Sequence, residues 1–202
     1  AEEGNNILRL LDVNSGETGP VASVNGSVAA LWSADGQALA FGTTARPGSS
    51  LFTSIQILDL TTGQILPLRD ESKQAHKSES MIGFFWSPRG DALFALSVDV
   101  RRSHLRWQRI VRESGQTSEI ARFLPSREQT QFFSFFDQYA CSHPPIAPDG
   151  SALAFAGHHI GPVALDTNSA SQIYIAQLDQ PVEQPETVHS IGAGNFVCWG
   201  PK

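Results

Sequence analysis

The stretch ALWSADGQALAFGT, from Ala30 to Thr43, decides the fold, because its parts return along the chain. Trp32-Ser33-Ala34-Asp35-Gly36 recurs as Trp86-Ser87-Pro88-Arg89-Gly90 and as Ile146-Ala147-Pro148-Asp149-Gly150. It starts again at Trp199-Gly200-Pro201, so the steps are 54, 60 and 53 residues. Repetition at one period is the mark of stacked supersecondary units, each too small to bury its own apolar surface.

A second motif runs in phase with the first. It reads LRLLDVNSG from Leu8, IQILDLTTG from Ile55, WQRIVRESG from Trp107 and, without the glycine, IYIAQLDQP from Ile173. The first motif is turn chemistry followed by short apolar strands, ALAFGT, ALFALS and ALAFAG. The second alternates apolar and polar residues, then turns at an Asp/Ser/Thr-Gly cluster into a further strand such as QILPL. One period therefore encodes four antiparallel strands. The fold class is all-β, a β-propeller of four-stranded blades. Residues 1–202 form one such domain, with blade-like units at about 27–69, 80–124 and 140–190, while 7–24 and 195–199 contribute to incomplete blades. Seventeen Gly and twelve Pro interrupt the chain too often for long helices. Trp32 and Trp86 are expected to be packing residues that fill the wedge between neighbouring sheets.

Strand counting gives about three and three-quarter blades. Leu8 to Val24 supplies a third and fourth strand, three units follow, and NFVCWGPK supplies a first strand only. The expectation is a partial ring, completed by further sequence, by another chain or by a second copy.

The repeats WSADG, WSPRGDALFALS, IQILDLTTG and IYIAQLD resemble those of the bacterial TolB-like propellers, relatives of the WD-repeat type, over nearly the whole chain. Arg89, Ile146 and Gly200 depart from the pattern, where Asp, Trp and Ser are usual. FFDQYACSHPPIAPDG resembles a stretch found in a group of bacterial TolB-like proteins. The resemblance implies a non-enzymatic binding or scaffold domain with a protein or peptide partner. The compartment stays open, with a periplasmic or extracellular, cell-envelope location expected over a cytoplasmic one. The same architecture also serves as the gating domain of prolyl-oligopeptidase-type serine peptidases, which is the alternative implied; fold alone does not choose between them.

Composition narrows the function. With 41% hydrophobic and 17% charged residues the chain reads as globular, and its net charge of −6 with scattered basic residues does not suit nucleic acid. No apolar run reaches the roughly 18 residues of a membrane span, so no direct membrane insertion is expected. Cys141 and Cys198 are the only cysteines. They sit at different offsets from the repeat position, five residues before Ile146 and one before Trp199, and are expected to be unpaired. No G-x-S-x-G elbow is present, and the adjacent His158 and His159 point to opposite sides of an extended chain. No catalytic residue, metal or cofactor is expected.

The most unusual stretch is QTQFFSFFDQYACSH, Gln129 to His143, which lengthens one period to 60 residues. Its aromatics either fill the space between blades or line a pocket at the ring mouth. Phe132, Phe133, Phe135, Phe136, Asp137, Tyr139 and His143 are the candidate partner-binding residues. The connections TTARPGSSLFTS and GHHIGPVALDTNSAS read as surface hairpin extensions, with Phe52, Val163 and Leu165 as their apolar residues.

Overall fold

The computed structural model describes residues 6–24, 26–70, 79–99, 104–161, 169–178 and 188–200. Strands β1 (Asn6–Leu11) and β2 (Thr18–Val24) form a hairpin of their own. Next come β3 (Val28–Trp32), β4 (Ala38–Thr44), β5 (Phe52–Asp59) and β6 (Ile65–Asp70), paired antiparallel in sequence order. The pattern repeats in β7 (Glu79–Trp86), β8 (Ala92–Asp99), β9 (His104–Val111) and β10 (Thr117–Pro125). Two short helices, α1 (Arg127–Phe133) and α2 (Phe136–Tyr139), precede β11 (Ala152–His159), β12 (Gln172–Gln177) and β13 (Val188–Ala193). Narrow bridges link these runs: one pair between β5 and β7, and three between β10 and β11. The sheet does not close on itself.

The repeated turns are made the same way each time. The Ser33 amide donates to Ala38 O at 2.9 Å, the Ala38 amide to Ser33 Oγ at 2.9 Å, and Gly36 follows at φ +68°. Ser87 repeats this geometry with Ala92 and Gly90. Where Arg89 replaces the usual Asp, Asp91 takes over, accepting from Ser87 Oγ at 2.6 Å, as Asp35 accepts from Ser33 Oγ at 2.5 Å. The buried serine hydroxyl is therefore satisfied in both turns. The Ser33 hydroxyl is the main cause holding the Asp35 carboxyl below its ordinary range.

The core lies between the sheets. Trp107, Phe41, Phe84, Phe123 and Phe155 are fully buried, along with the apolar runs of β4, β8 and β11. The β1–β2 hairpin shares no strand pairing with the main sheet among the described residues. It packs Leu8, Leu10, Val21 and Ala22 onto Leu39, Phe41 and Leu58.

Several expectations are corrected. Trp32 is not a buried packing residue, being 53% exposed, and Trp86 is only half-buried. Both stand at the last residue of a first strand. The Trp86 ring reaches back to the preceding sheet, whereas no first strand precedes β3 among the described residues. The tryptophan that is fully buried among the described residues is Trp107, in the second motif. The third unit has no first strand, since only Ile146 bridges to Leu153 where a ladder was expected. Pro144 and Pro145 lack the amide hydrogens a ladder needs. Asn195 to Gly200 likewise forms no strand and runs beside Pro144, with the Trp199 amide donating to Pro144 O at 2.9 Å. Phe52 belongs to β5 and is buried against the next sheet's Phe84; Val163 and Leu165 lie outside the described residues. Cys141 is exposed and Cys198 half-buried, both as free thiols. No helix among the described residues is long and apolar enough to cross a membrane.

Trp107→Ala is expected to lower stability by about 3–5 kcal/mol, because it empties a fully enclosed site. Trp86→Phe, which keeps a ring but deletes an N–H that donates to Leu31 O, should cost only about 0.5–1.5 kcal/mol. Urea unfolding of the two variants checks the order, and equal costs would contradict it. His159 adds a pH dependence: burial against Phe155 and Tyr174 pushes its pKa below the usual 6.5. Its neutral form is favoured in the fold, so stability is full above pH 6.5 and declines as pH falls below it. His159→Gln should flatten that part of the urea midpoint against pH.

Candidate functional site

The aromatic insertion folds into helices for a local reason. Ser126 caps α1, its hydroxyl oxygen accepting from the Gln129 amide at 3.0 Å, and Glu128 stands in the first turn. Ser126-Arg127-Glu128-Gln129 has the S-x-x-Q spacing of a capping box. In place of the usual reciprocal bond, the Gln129 side chain turns to the last described segment, where its Oε1 accepts from the Val197 amide at 3.4 Å. The Ser126 hydroxyl donates to Asn195 O. These two bonds hold residues 195–197 against α1.

The candidate residues divide between two faces. Phe133 and Phe136 point into the core. Phe136 packs edge-on against Phe52 at 5.8 Å, Phe84 at 5.1 Å and Phe85 at 5.7 Å between ring centres, and Phe133 meets Trp107 at 5.7 Å. Phe136 also lies on Gly83, where a Cβ would sit 3.1 Å from its ring. Asp137, on α2, lines the cavities on both sides of that helix, of about 530 and 560 Å³.

Phe132, Phe135, Tyr139 and His143 line a separate open cup of about 340 Å³ together with Phe196, Glu128 and Gln131. The Phe132 ring is the common neighbour, 5.5 Å from Phe196, 6.2 Å from Tyr139 and 6.5 Å from His143. Tyr139 and His143 stand perpendicular at 5.7 Å. The His143 amide donates to Tyr139 O at 2.8 Å, and its Nδ1 pairs with the Ser142 hydroxyl at 2.8 Å, which orients the imidazole. Phe135 and Tyr139 are 47% and 43% exposed, so both side chains are accessible to a ligand.

Three lining residues were not among the candidates. Glu128 and Gln131 follow from the capping box, which starts the helix before the aromatic run. Phe196 is 53 residues past His143, and nothing local in NFVCW announces its contact. His158 and His159 sit at the end of β11, and no group of three or more His, Cys, Asp or Glu among the described residues is arranged to hold a metal ion.

No protein-family model matches the sequence, and no curated protein matches it. Solved structures do share the fold. An oligogalacturonate lyase in complex with manganese aligns with a TM-score of 0.56 at 16% identity, covering 91% of this chain and 41% of that one. The oligogalacturonate lyase of Vibrio parahaemolyticus aligns with a TM-score of 0.54 at 14% identity, covering 91% and 42%. TolB from Acinetobacter baumannii gives 0.49 at 17% identity, covering 94% and 38%. The chain thus spans about two-fifths of the length of these structures. At such identities the likeness to the two lyases concerns the fold alone, and the fold is an all-β, propeller-like domain of antiparallel strands.

Proposed function

We propose that this domain is a non-enzymatic binding module whose aromatic cup receives a basic side chain of a protein or peptide partner. The observation that carries the reading is the juxtaposition of five aromatic rings with a carboxylate, Phe132, Phe135, Tyr139, His143 and Phe196 with Glu128, around one open cup. Ring faces attract cations through their quadrupole, with about 0.5–1 kcal/mol at exposed sites and about 2 where water is displaced. Glu128 adds a charge of the matching sign and Gln131 a hydrogen-bonding amide. The net charge of −6 draws basic partners from a distance and disfavours acidic ones.

The volume suits one long side chain, at the low end of the range for ligand pockets. Such anchors commonly dominate an interface. The oligogalacturonate lyases lend no substrate to this cup, because a sugar carboxylate placed there would meet Glu128 rather than a permanent cation.

Calorimetric titration with the tetrapeptides Gly-Arg-Arg-Gly and Gly-Glu-Glu-Gly tests the reading. Binding is expected for the basic peptide alone, weakening as salt is raised. Tyr139→Ala and Glu128→Gln should each reduce the affinity about tenfold, the equivalent of about 1.4 kcal/mol, with the unfolding midpoint nearly unchanged. Phe136→Ala should instead lose about 3–5 kcal/mol of stability. Equal binding of both peptides, or full affinity in Tyr139→Ala, would contradict the assignment.

A further inference from the structure

The chain builds one turn-against-turn junction twice, with different charge each time. In the first, the Ser33 to Gly36 turn abuts Gly90, where an added Cβ would stand 3.7 Å from Asp35 Oδ2. Arg112 reaches across to Asp59 at 2.8 Å, so the acids of one unit meet the arginine of the next. In the second, the Ser87 to Gly90 turn abuts Gly150, where an added Cβ would stand 3.8 Å from Pro88 Cδ. Register fixes the correspondence. The amides of Leu60, Arg112 and Leu178 donate to the carbonyls of Gln37, Asp91 and Ser151 at 2.9, 2.9 and 2.7 Å, so Leu178 holds in the third unit the place of Arg112 in the second. Arg89 holds the place of Asp35. Where the first junction sets a carboxylate against an arginine, the second sets an arginine against a leucine.

This second junction encloses a small cavity of about 60 Å³. Arg89, Arg109 and Asp91 are the charged residues of its described lining, with Phe94 and Leu178 as an apolar wall. The carboxylate is already engaged. Asp91 Oδ1 accepts from Ser87 Oγ at 2.6 Å, and its Oδ2 stands 4.0 Å from Arg109 Nη2, beyond hydrogen-bonding distance. The Arg109 Nε is buried and makes no hydrogen bond among the described residues. On the facing turn, Asp149 Oδ1 accepts from the Ser151 amide at 2.9 Å and the Ser151 hydroxyl at 2.7 Å. Two guanidiniums in the lining therefore meet one carboxylate whose nearer oxygen is bound elsewhere.

We infer that this cavity is a binding site for a single phosphate group, held between Arg89 and Arg109. The planar guanidinium fork matches the spacing of phosphate oxygens, and a tetrahedral oxyanion offers enough of them to meet both arginines at once. The apolar wall of Phe94 and Leu178 keeps water from one side, which strengthens the attraction. The volume admits one compact ion or phosphate group and leaves no room for an attached sugar or base. The site shares no lining residue with the aromatic cup, so it stands apart from the cation binding proposed there. The net charge of −6 does not forbid it, because charges beyond about 10 Å are screened at 0.1 M salt while the two guanidiniums act at contact.

Calorimetric titration of the full chain with sodium phosphate, set against sodium chloride at matched ionic strength, reads the site. Saturable binding of phosphate is expected, with chloride much weaker. Arg89→Asp should weaken phosphate binding by about tenfold or more, since a charge-assisted hydrogen bond is lost. That variant restores the residue that Asp35 and Asp149 supply at the same turn position, so the turn keeps its chemistry. Arg109→Gln should weaken binding to a similar degree. Arg9→Asp, which makes the same change of charge on the exposed face of the β1–β2 hairpin, should leave it unaltered. Glycerol phosphate distinguishes the sources: affinity equal to or above that of phosphate assigns a phosphate monoester, and lower affinity assigns the free ion. Saturable binding that survives in Arg89→Asp, or that falls equally in Arg9→Asp, would mean an adventitious ion only and overturns the proposal. Phosphate binding no better than chloride overturns it too.

Discussion

Phe133 and Phe136 hold the structure together across its sheets. A small antiparallel sheet has two faces and can cover neither alone, and the strand pairing between successive runs of strands is narrow, a single pair between β5 and β7. The rings of the insertion make the wider connection. Phe136 touches Phe52 of β5 and both Phe84 and Phe85 of β7, while Phe133 touches Trp107 of β9 and Phe123 of β10. Phe123 continues the contact to Phe155 of β11, 4.5 Å away. One side of two short helices thereby joins three sheets.

That structural duty frees the other side of the same helices. Because Phe133 and Phe136 are committed inward, the helical spacing turns Phe135 and Tyr139 toward water, and the bonds from Ser126 and Gln129 bring Phe196 over Phe132. A cup placed on elements anchored this firmly loses little order when a ligand enters, which is the advantage of preorganisation. The aromatic density of Gln129 to His143 reflects both roles, with separate residues serving each.

The strands and turns were legible because each repeat states them in local chemistry. Ser33 and Gly36, then Ser87 and Gly90, build the same turn, and the change at Arg89 is absorbed by Asp91 two residues later. What the sequence left hidden depends on long-range contact. Trp32 and Trp86 occupy identical places in their repeats, yet only Trp86 has a preceding first strand to reach. The missing strand before β11 follows from Pro144 and Pro145, a local signal that the regularity of the repeat concealed. The Ser126 to Gln129 capping box is likewise a local signal, for α1 alone, that went unused beside the aromatic run, whereas the pairing of Phe196 with Phe132 joins residues 64 apart and has no local signature.

The insertion makes the successive sheets one cooperative unit. Native-state hydrogen exchange followed by mass spectrometry tests it most directly, because units that open together share one exchange free energy. The buried strands β4, β8 and β11 are expected to exchange at one common, slowest level, and the β1–β2 hairpin, outside the main sheet, to exchange faster. Three separate levels for β4, β8 and β11, each opening on its own, would contradict it.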